Sequence, residues 1–181
     1  MKRFMIGLMV AAVAAIGFGS PASAAATTLQ TFGTGVTILT PDSASIALTD
    51  GLQSGGVFIN SKSLSGKPLS EVVVSFVSTG DVAGGAPRFS LPIDTDGVGS
   101  TNNGYAFLDA LGCNSLATSG TMVTVSTALE NCHVNFAFVD YANWRAFAAA
   151  NPTYRIGPGF IPFIIADGTA GTYKVSSIDL R

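Results

Sequence analysis

Between Ala44 and Leu180 no apolar run goes far before Gly, Ser, Thr, Asn or Asp interrupts it. That punctuation constrains the fold more than any other feature, because it leaves room for many short strands and little helix. Segments 44–49, 55–60, 71–78, 88–93, 104–110, 121–127, 132–138, 160–166 and 172–180 read as strands. In 88–93 the side chains alternate, with Phe89, Leu91 and Ile93 inward and Arg88, Ser90 and Pro92 outward. Pro92 has no N–H, which assigns that segment to a sheet edge or a strand end. Segment 71–78 is apolar on both phases and reads as a central strand covered on two sides. In 132–138, Cys132, Val134, Phe136 and Phe138 share a face. The last strand slips phase between Tyr173/Val175 and Ile178/Leu180, which predicts a bulge at Ser176-Ser177.

One short helix is expected. Asp140 is placed to cap it, Tyr141, Trp144, Phe147 and Ala148 fall on one helical stripe, and Asn151-Pro152 ends it. Many short strands with one helix define an all-β class: an antiparallel β-sandwich, jelly-roll-like in its connections.

The N-terminus has the three parts of a secretory leader in order. Lys2 and Arg3 precede an apolar run from Phe4 to Phe18, and Gly19-Ser20-Pro21 leads into Ala22-Ser23-Ala24. This predicts a cleaved signal peptide over 1–24 and a single β-sandwich domain over 25–181. The run is shorter than the roughly 20 residues that cross a bilayer, so no membrane insertion is expected after processing. The chain is then secreted and extracellular. In that compartment the two cysteines, Cys113 and Cys132, are expected to form a disulfide.

Charge narrows the partners. Nine Lys and Arg stand against eleven Asp and Glu, and two of the nine leave with the leader. No basic stripe is left for nucleic acid. With a single histidine, His133, a conventional zinc site lacks ligands.

Three short stretches carry a family likeness. The string Gly55-Gly56-Val57-Phe58-Ile59, the segment Pro87-Arg88-Phe89-Ser90, and the ending Gly171-Thr172-Tyr173-Lys174-Val175-Ser176-Ser177-Ile178-Asp179-Leu180 resemble pieces of secreted jelly-roll, galactose-binding-like carbohydrate-binding modules. The resemblance implies an exported sandwich that binds sugars in a groove or at loop tips, often with a structural calcium. Here Ser176-Ser177 stands where those modules commonly carry an acidic pair.

Asp94, Asp96 and Asn102 have the spacing of oxygen ligands in a calcium loop, with Asp109 as a more distant candidate. Val98 and Tyr105 occupy two positions where such a loop needs ligands, and the same residues also suit a solvated turn. The cofactor expectation is therefore none, or at most a weak structural calcium. Tyr105, Tyr154 and Trp144 are the candidate ligand-binding residues, because an aromatic face offers a pyranose apolar area without charge. Trp144 and Tyr141 equally suit core packing with Phe147.

Hydrolysis has little support. There is no Gly-x-Ser-x-Gly elbow, and the only glutamates, Glu71 and Glu130, lie in no polar cluster. The sequence thus reads as a secreted, non-enzymatic module for a glycan or other extracellular ligand. A structural or cell-surface interaction domain facing a surface protein is the second reading, and a small hydrolase the third.

Overall fold

The computed structural model describes residues 28–97 and 103–181. The leader and Asn102 lie outside those residues. Among them the chain forms β1 (Thr28–Gly33), β2 (Val36–Thr40), β3 (Ser43–Leu48), β4 (Ser54–Asn60), β5 (Val74–Gly80), β6 (Arg88–Asp94), β7 (Tyr105–Asp109), α1 (Ala110–Cys113) and β8 (Val123–Ser126). There follow β9 (Val134–Phe136), β10 (Val139–Tyr141), α2 (Trp144–Ala150), β11 (Arg155–Ile156), β12 (Phe163–Asp167) and β13 (Gly171–Leu180).

Two antiparallel sheets result. The larger runs β1-β4-β12-β6-β7-β9-β10, with β11 beside the end of β6, and the smaller runs β2-β3-β13-β5-β8. The expected all-β sandwich is present. At its centre β4-β12-β6-β7 faces β3-β13-β5-β8, so the chain crosses repeatedly from one sheet to the other. Between the sheets lie Val57, Ile59, Phe76, Phe89, Leu91, Leu108 and Ile164, all fully buried or nearly so. Each such side chain contributes about 1.5–3 kcal/mol by leaving water. Cys113 and Cys132 are bonded, tying α1 to the segment that enters β9.

Several expectations are corrected. Segment 88–93 is a central strand, paired with β12 on one side and β7 on the other. Pro92 is tolerated because it lies past the last β12 pair, Phe163 with Ser90, and before the β11 pair at Ile93; there its carbonyl accepts from the Gly157 N–H at 2.9 Å. Segment 71–78 begins as a 3-10 turn over Leu69–Glu71, and β5 buries one phase, Val74, Phe76 and Ser78, while Ser75 and Val77 stay half-buried. The strand from Cys132 stops at Phe136. Ala137 and Phe138 adopt φ of 50° and 65° and make a two-residue hairpin turn into β10, leaving Phe138 fully exposed rather than inward.

Asp140 does not cap a helix: it lies in β10 opposite Asn135. The cap is Asn143, whose side chain accepts from the Ala146 N–H at 2.8 Å. A second helix, the single turn α1, is capped by Asp109. The bulge expected at Ser176-Ser177 is present, with the register shifting between Ser176 and Asp179 and Ser177 at φ 52°.

Candidate functional site

The larger sheet has one face in the core and one turned away from it. Because directly opposed residues share a face, the register defines a row across the outer side. It runs Gln30, Phe58, Phe163, Ser90, Phe107, Asn135 and Asp140, one residue from each strand of the main path. A second row runs Phe32, Gly56, Ile165, Arg88 and Asp109. Tyr105 stands opposite Pro92 on the same side.

The rings touch one another. Phe32 and Phe58 lie 4.4 Å apart between centroids, Phe58 and Phe163 5.9 Å, and Tyr105 and Phe163 5.0 Å. A Cβ on Gly56 would collide with the Phe32 ring and the Ile164 carbonyl, so glycine there lets Phe32 lie flat over the backbone. Phe32, Phe58, Phe107, Phe163 and Tyr105 are all half-buried. They form an aromatic strip on a face where soluble sheets usually carry polar side chains.

Arg88 borders the strip. Its Nη2 donates to Asp167 Oδ2 at 2.6 Å, and its guanidinium lies 4.9 Å from the centroid of Phe107. Two polar atoms on this side of the sheet, Ser90 Oγ and Arg88 Nε, are buried and have no hydrogen-bond partner, and the same is true of Ser78 Oγ on the inner phase of β5. Such groups are uncommon, and each costs about 1–3 kcal/mol if left unpaired.

The three aromatics singled out from sequence do not form one platform. Tyr105 joins the strip. Tyr154 packs on Phe136 at 6.0 Å and Phe147 at 6.4 Å, away from it. Trp144 is 3% exposed, and its Nε1 donates to the Leu69 carbonyl at 2.7 Å, so its indole is core. One edge of that indole also lines a separate groove of about 620 Å³, walled by Leu69, Val72, Val73, Ala148 and Pro152. Sequence pattern alone does not single out the phenylalanines of the strip as a site. Their signal is an aromatic on the outward phase of a strand that is already apolar on the inward one, at Phe58, Phe107 and Phe163.

At the end of β6, Asp94 is fully buried, and its Oδ1 accepts from the backbone N–H of Asp96 at 3.1 Å and of Gly97 at 3.0 Å. That is the hydrogen-bonding of an aspartate-led turn. Asp109 is occupied in capping α1, with Oδ1 accepting from the Gly112 N–H at 2.7 Å. Among the described residues no group of three or more His, Cys, Asp and Glu is placed to hold a metal ion. Glu130 pairs with Arg145 at 3.0 Å on the surface, and His133 is exposed just before β9. No helix among the described residues is long and apolar enough to cross a membrane.

Asp81 follows β5 and meets the start of β13 through the Thr172 N–H at 2.6 Å. Its carboxyl is held below the usual range, first by the Ser119 hydroxyl and then by the Thr172 N–H. Burial, followed by the nearby Asp81 charge, pushes the Tyr173 phenol up.

No protein-family model matches the chain, and no curated protein or solved structure matches it.

Proposed function

We propose that this chain is an exported, non-enzymatic binding module of jelly-roll topology that holds a glycan on the outer face of its larger sheet. The observation that carries the reading is the aromatic strip Phe32–Phe58–Phe163, continued by Tyr105 and Phe107. A pyranose offers an apolar face of C–H groups and a rim of hydroxyls, and rings flanked by polar side chains suit both. Gln30, Arg88, Asp167 and Asn135 supply that rim. The strand order β3-β13-β5-β8 against β4-β12-β6-β7 supports the jelly-roll reading, since its strands pair as two interleaved Greek keys do. The leader sequence and the disulfide support export.

The second reading is a surface-interaction domain. It draws on the edge strand β2, which leaves Ile38 and Leu39 exposed and unpaired on one side.

Affinity electrophoresis against immobilised polysaccharides tests the first reading. Retardation by at least one of them, lost in Phe163→Ala and Phe58→Ala but kept in Ile38→Ser, is expected. Unretarded migration on every glycan, with self-association or protein capture that Ile38→Ser abolishes, would move the assignment to the second reading.

A further inference from the structure

We infer that the open edge of β2 pairs with β2 of a second copy of this chain about a two-fold axis, joining the smaller sheets of the two copies into one continuous sheet. The inference takes up the edge on which the second reading draws and names its partner, and it holds whatever the aromatic face binds.

The backbone groups set the geometry. In the β2–β3 ladder Val36 pairs with Ile46, Thr37 with Ser45 and Ile38 with Ala44, and one step earlier the Ala47 N–H donates to the Gly35 carbonyl at 2.9 Å. Hydrogen-bonded and non-hydrogen-bonded positions alternate along an antiparallel pair. Gly35 and Thr37 therefore direct their N–H and C=O groups at β3. Val36 and Ile38 turn theirs to the open side, where neither has a partner among the described residues.

One register fits a second β2 to that stretch, the one centred on Thr37. Val36 then exchanges both hydrogen bonds with Ile38 of the second copy, and Ile38 does the same with Val36. Centring on Ile38 would draw the bulge between Ile38 and Thr40 into the ladder. Centring on Val36 would bring in Thr34, whose N–H is already bonded to the Ser54 carbonyl.

The side chains suit the same register. Val36 and Ile38 lie on the inner phase, opposite the fully buried Ile46 and Ala44, so their pairing carries the core past the sheet edge and covers Ile38, which is 39% exposed. Thr37 lies on the outer face and meets its own counterpart, a favourable cross-strand pair. Charge permits the contact of like with like. No residue from Thr28 through Pro41 is charged, so β2 and the neighbouring β1 lack the lysines that usually protect an edge. The opposite ends of the sheets differ: β10 carries Asp140 at its middle, and β8 has α1 packed against it. A two-fold through the β2 pair stands perpendicular to the sheet, so the aromatic strips of both copies face the same way. So short an edge makes a small interface, and the dimer is weak and concentration-dependent.

Sedimentation velocity of the processed protein, from micromolar to millimolar concentration, should show monomer passing to dimer. Thr37→Lys sets two ammonium groups directly opposite each other and should hold the protein monomeric over that range. Its Tm should not fall, because Thr37 is exposed. Thr37→Cys gives an independent reading. Opposed residues at a non-hydrogen-bonded position have Cα atoms about 4.5 Å apart, within disulfide reach. Mild oxidation should cross-link that variant into a dimer. Lys174→Cys lies on the same outer face but about 24 Å from its counterpart, five strand spacings away, and should stay uncross-linked. A monomer at every concentration, a dimer unchanged by Thr37→Lys, or equal cross-linking of the two cysteine variants each overturns the inference. Retardation by polysaccharides is a separate readout, so the glycan reading stands or falls apart from this one.

Discussion

The two outer faces of the sandwich are built alike and dressed differently. On the smaller sheet the row Thr37, Ser45, Lys174, Thr79 is polar throughout, and the next, Ser176, Val77, Thr124, has one aliphatic. On the larger sheet the corresponding rows carry Phe32, Phe58, Phe107 and Phe163. Both faces alternate with a well-packed inner phase, so both satisfy the demands of folding. The serines and threonines are what a solvated sheet face needs and nothing more. The phenylalanines exceed it, and their adjacency in register rather than in sequence makes one surface of them. Folding alone therefore explains one face and leaves the chemistry of the other to be accounted for by what it meets.

The sharpest way to break this contrast is to compare rings on the two phases of the same sheet. Phe89 is fully buried between the sheets, and Phe163, on the neighbouring strand β12 and one residue from Phe89's partner Ile164, is half-buried outside. Phe89→Ala should cost about 3–5 kcal/mol through lost burial and a cavity. Phe163→Ala should cost about 1 kcal/mol, mostly from its ring contacts. Urea denaturation of both variants measures the gap. Equal losses would make the outer strip a third core layer, and the case for a binding surface would fall with it.

How much of this was legible in the sequence differs along the same line. The inner phases were readable wherever alternation was clean, as at Phe89, Leu91 and Ile93. The edges were not. Strand β2 is almost wholly exposed and β11 has only two residues, so neither leaves a period-two signature. The stripe locates helix α2 but not its start, because Asp140 and Asn143 are both capping residue types and only pairing with β9 removes the first. Pro92 does not mark an edge for a related reason: a strand can be central and still have a vacant donor position where its neighbour changes from β12 to β11. Of the candidate site, the sequence points to Tyr105 alone as a ligand-facing aromatic. The phenylalanines sit in strands apolar on both phases, where composition cannot say which phase faces water; that needs the register.

The aspartates that end strands sharpen the comparison at smaller energies. Asp81 leaves β5 of the smaller sheet and joins it to two other segments, accepting from Ser119 Oγ at 2.5 Å and the Thr172 N–H at 2.6 Å. Its pKa is lowered in the folded state, first by Ser119 and then by Thr172. A carboxyl depressed by folding adds stability above its unfolded pKa, and that stability disappears as pH falls through the folded value. Wild type should therefore lose more Tm than Asp81→Asn between about pH 5 and pH 2. The difference should be small, because the group is well solvated and its interactions are screened. Parallel curves for the two proteins would mean that the latch carries no free energy.

Asp94 ends β6 of the larger sheet and is expected to give the smallest effect of all. Its spacing with Asp96 and Asn102 suits a calcium loop. An extracellular site with a Kd of about 10⁻⁴–10⁻³ M would gain roughly 1.5–3 kcal/mol from about 10 mM calcium. That would raise Tm by several degrees for a domain of this size. Yet Asp94 is fully buried, and its Oδ1 already accepts two backbone N–H groups, from Asp96 and Gly97. A cation at Oδ1 would have to compete with both donors and would draw on a carboxylate cut off from solvent. Calcium should thus leave the melting curve where it is, in wild type and in Asp96→Ala alike. An upward shift in wild type that a chelator reverses and Asp96→Ala abolishes would show that the turn is an ion site, and would tie the aromatic face to a metal-braced loop at its end.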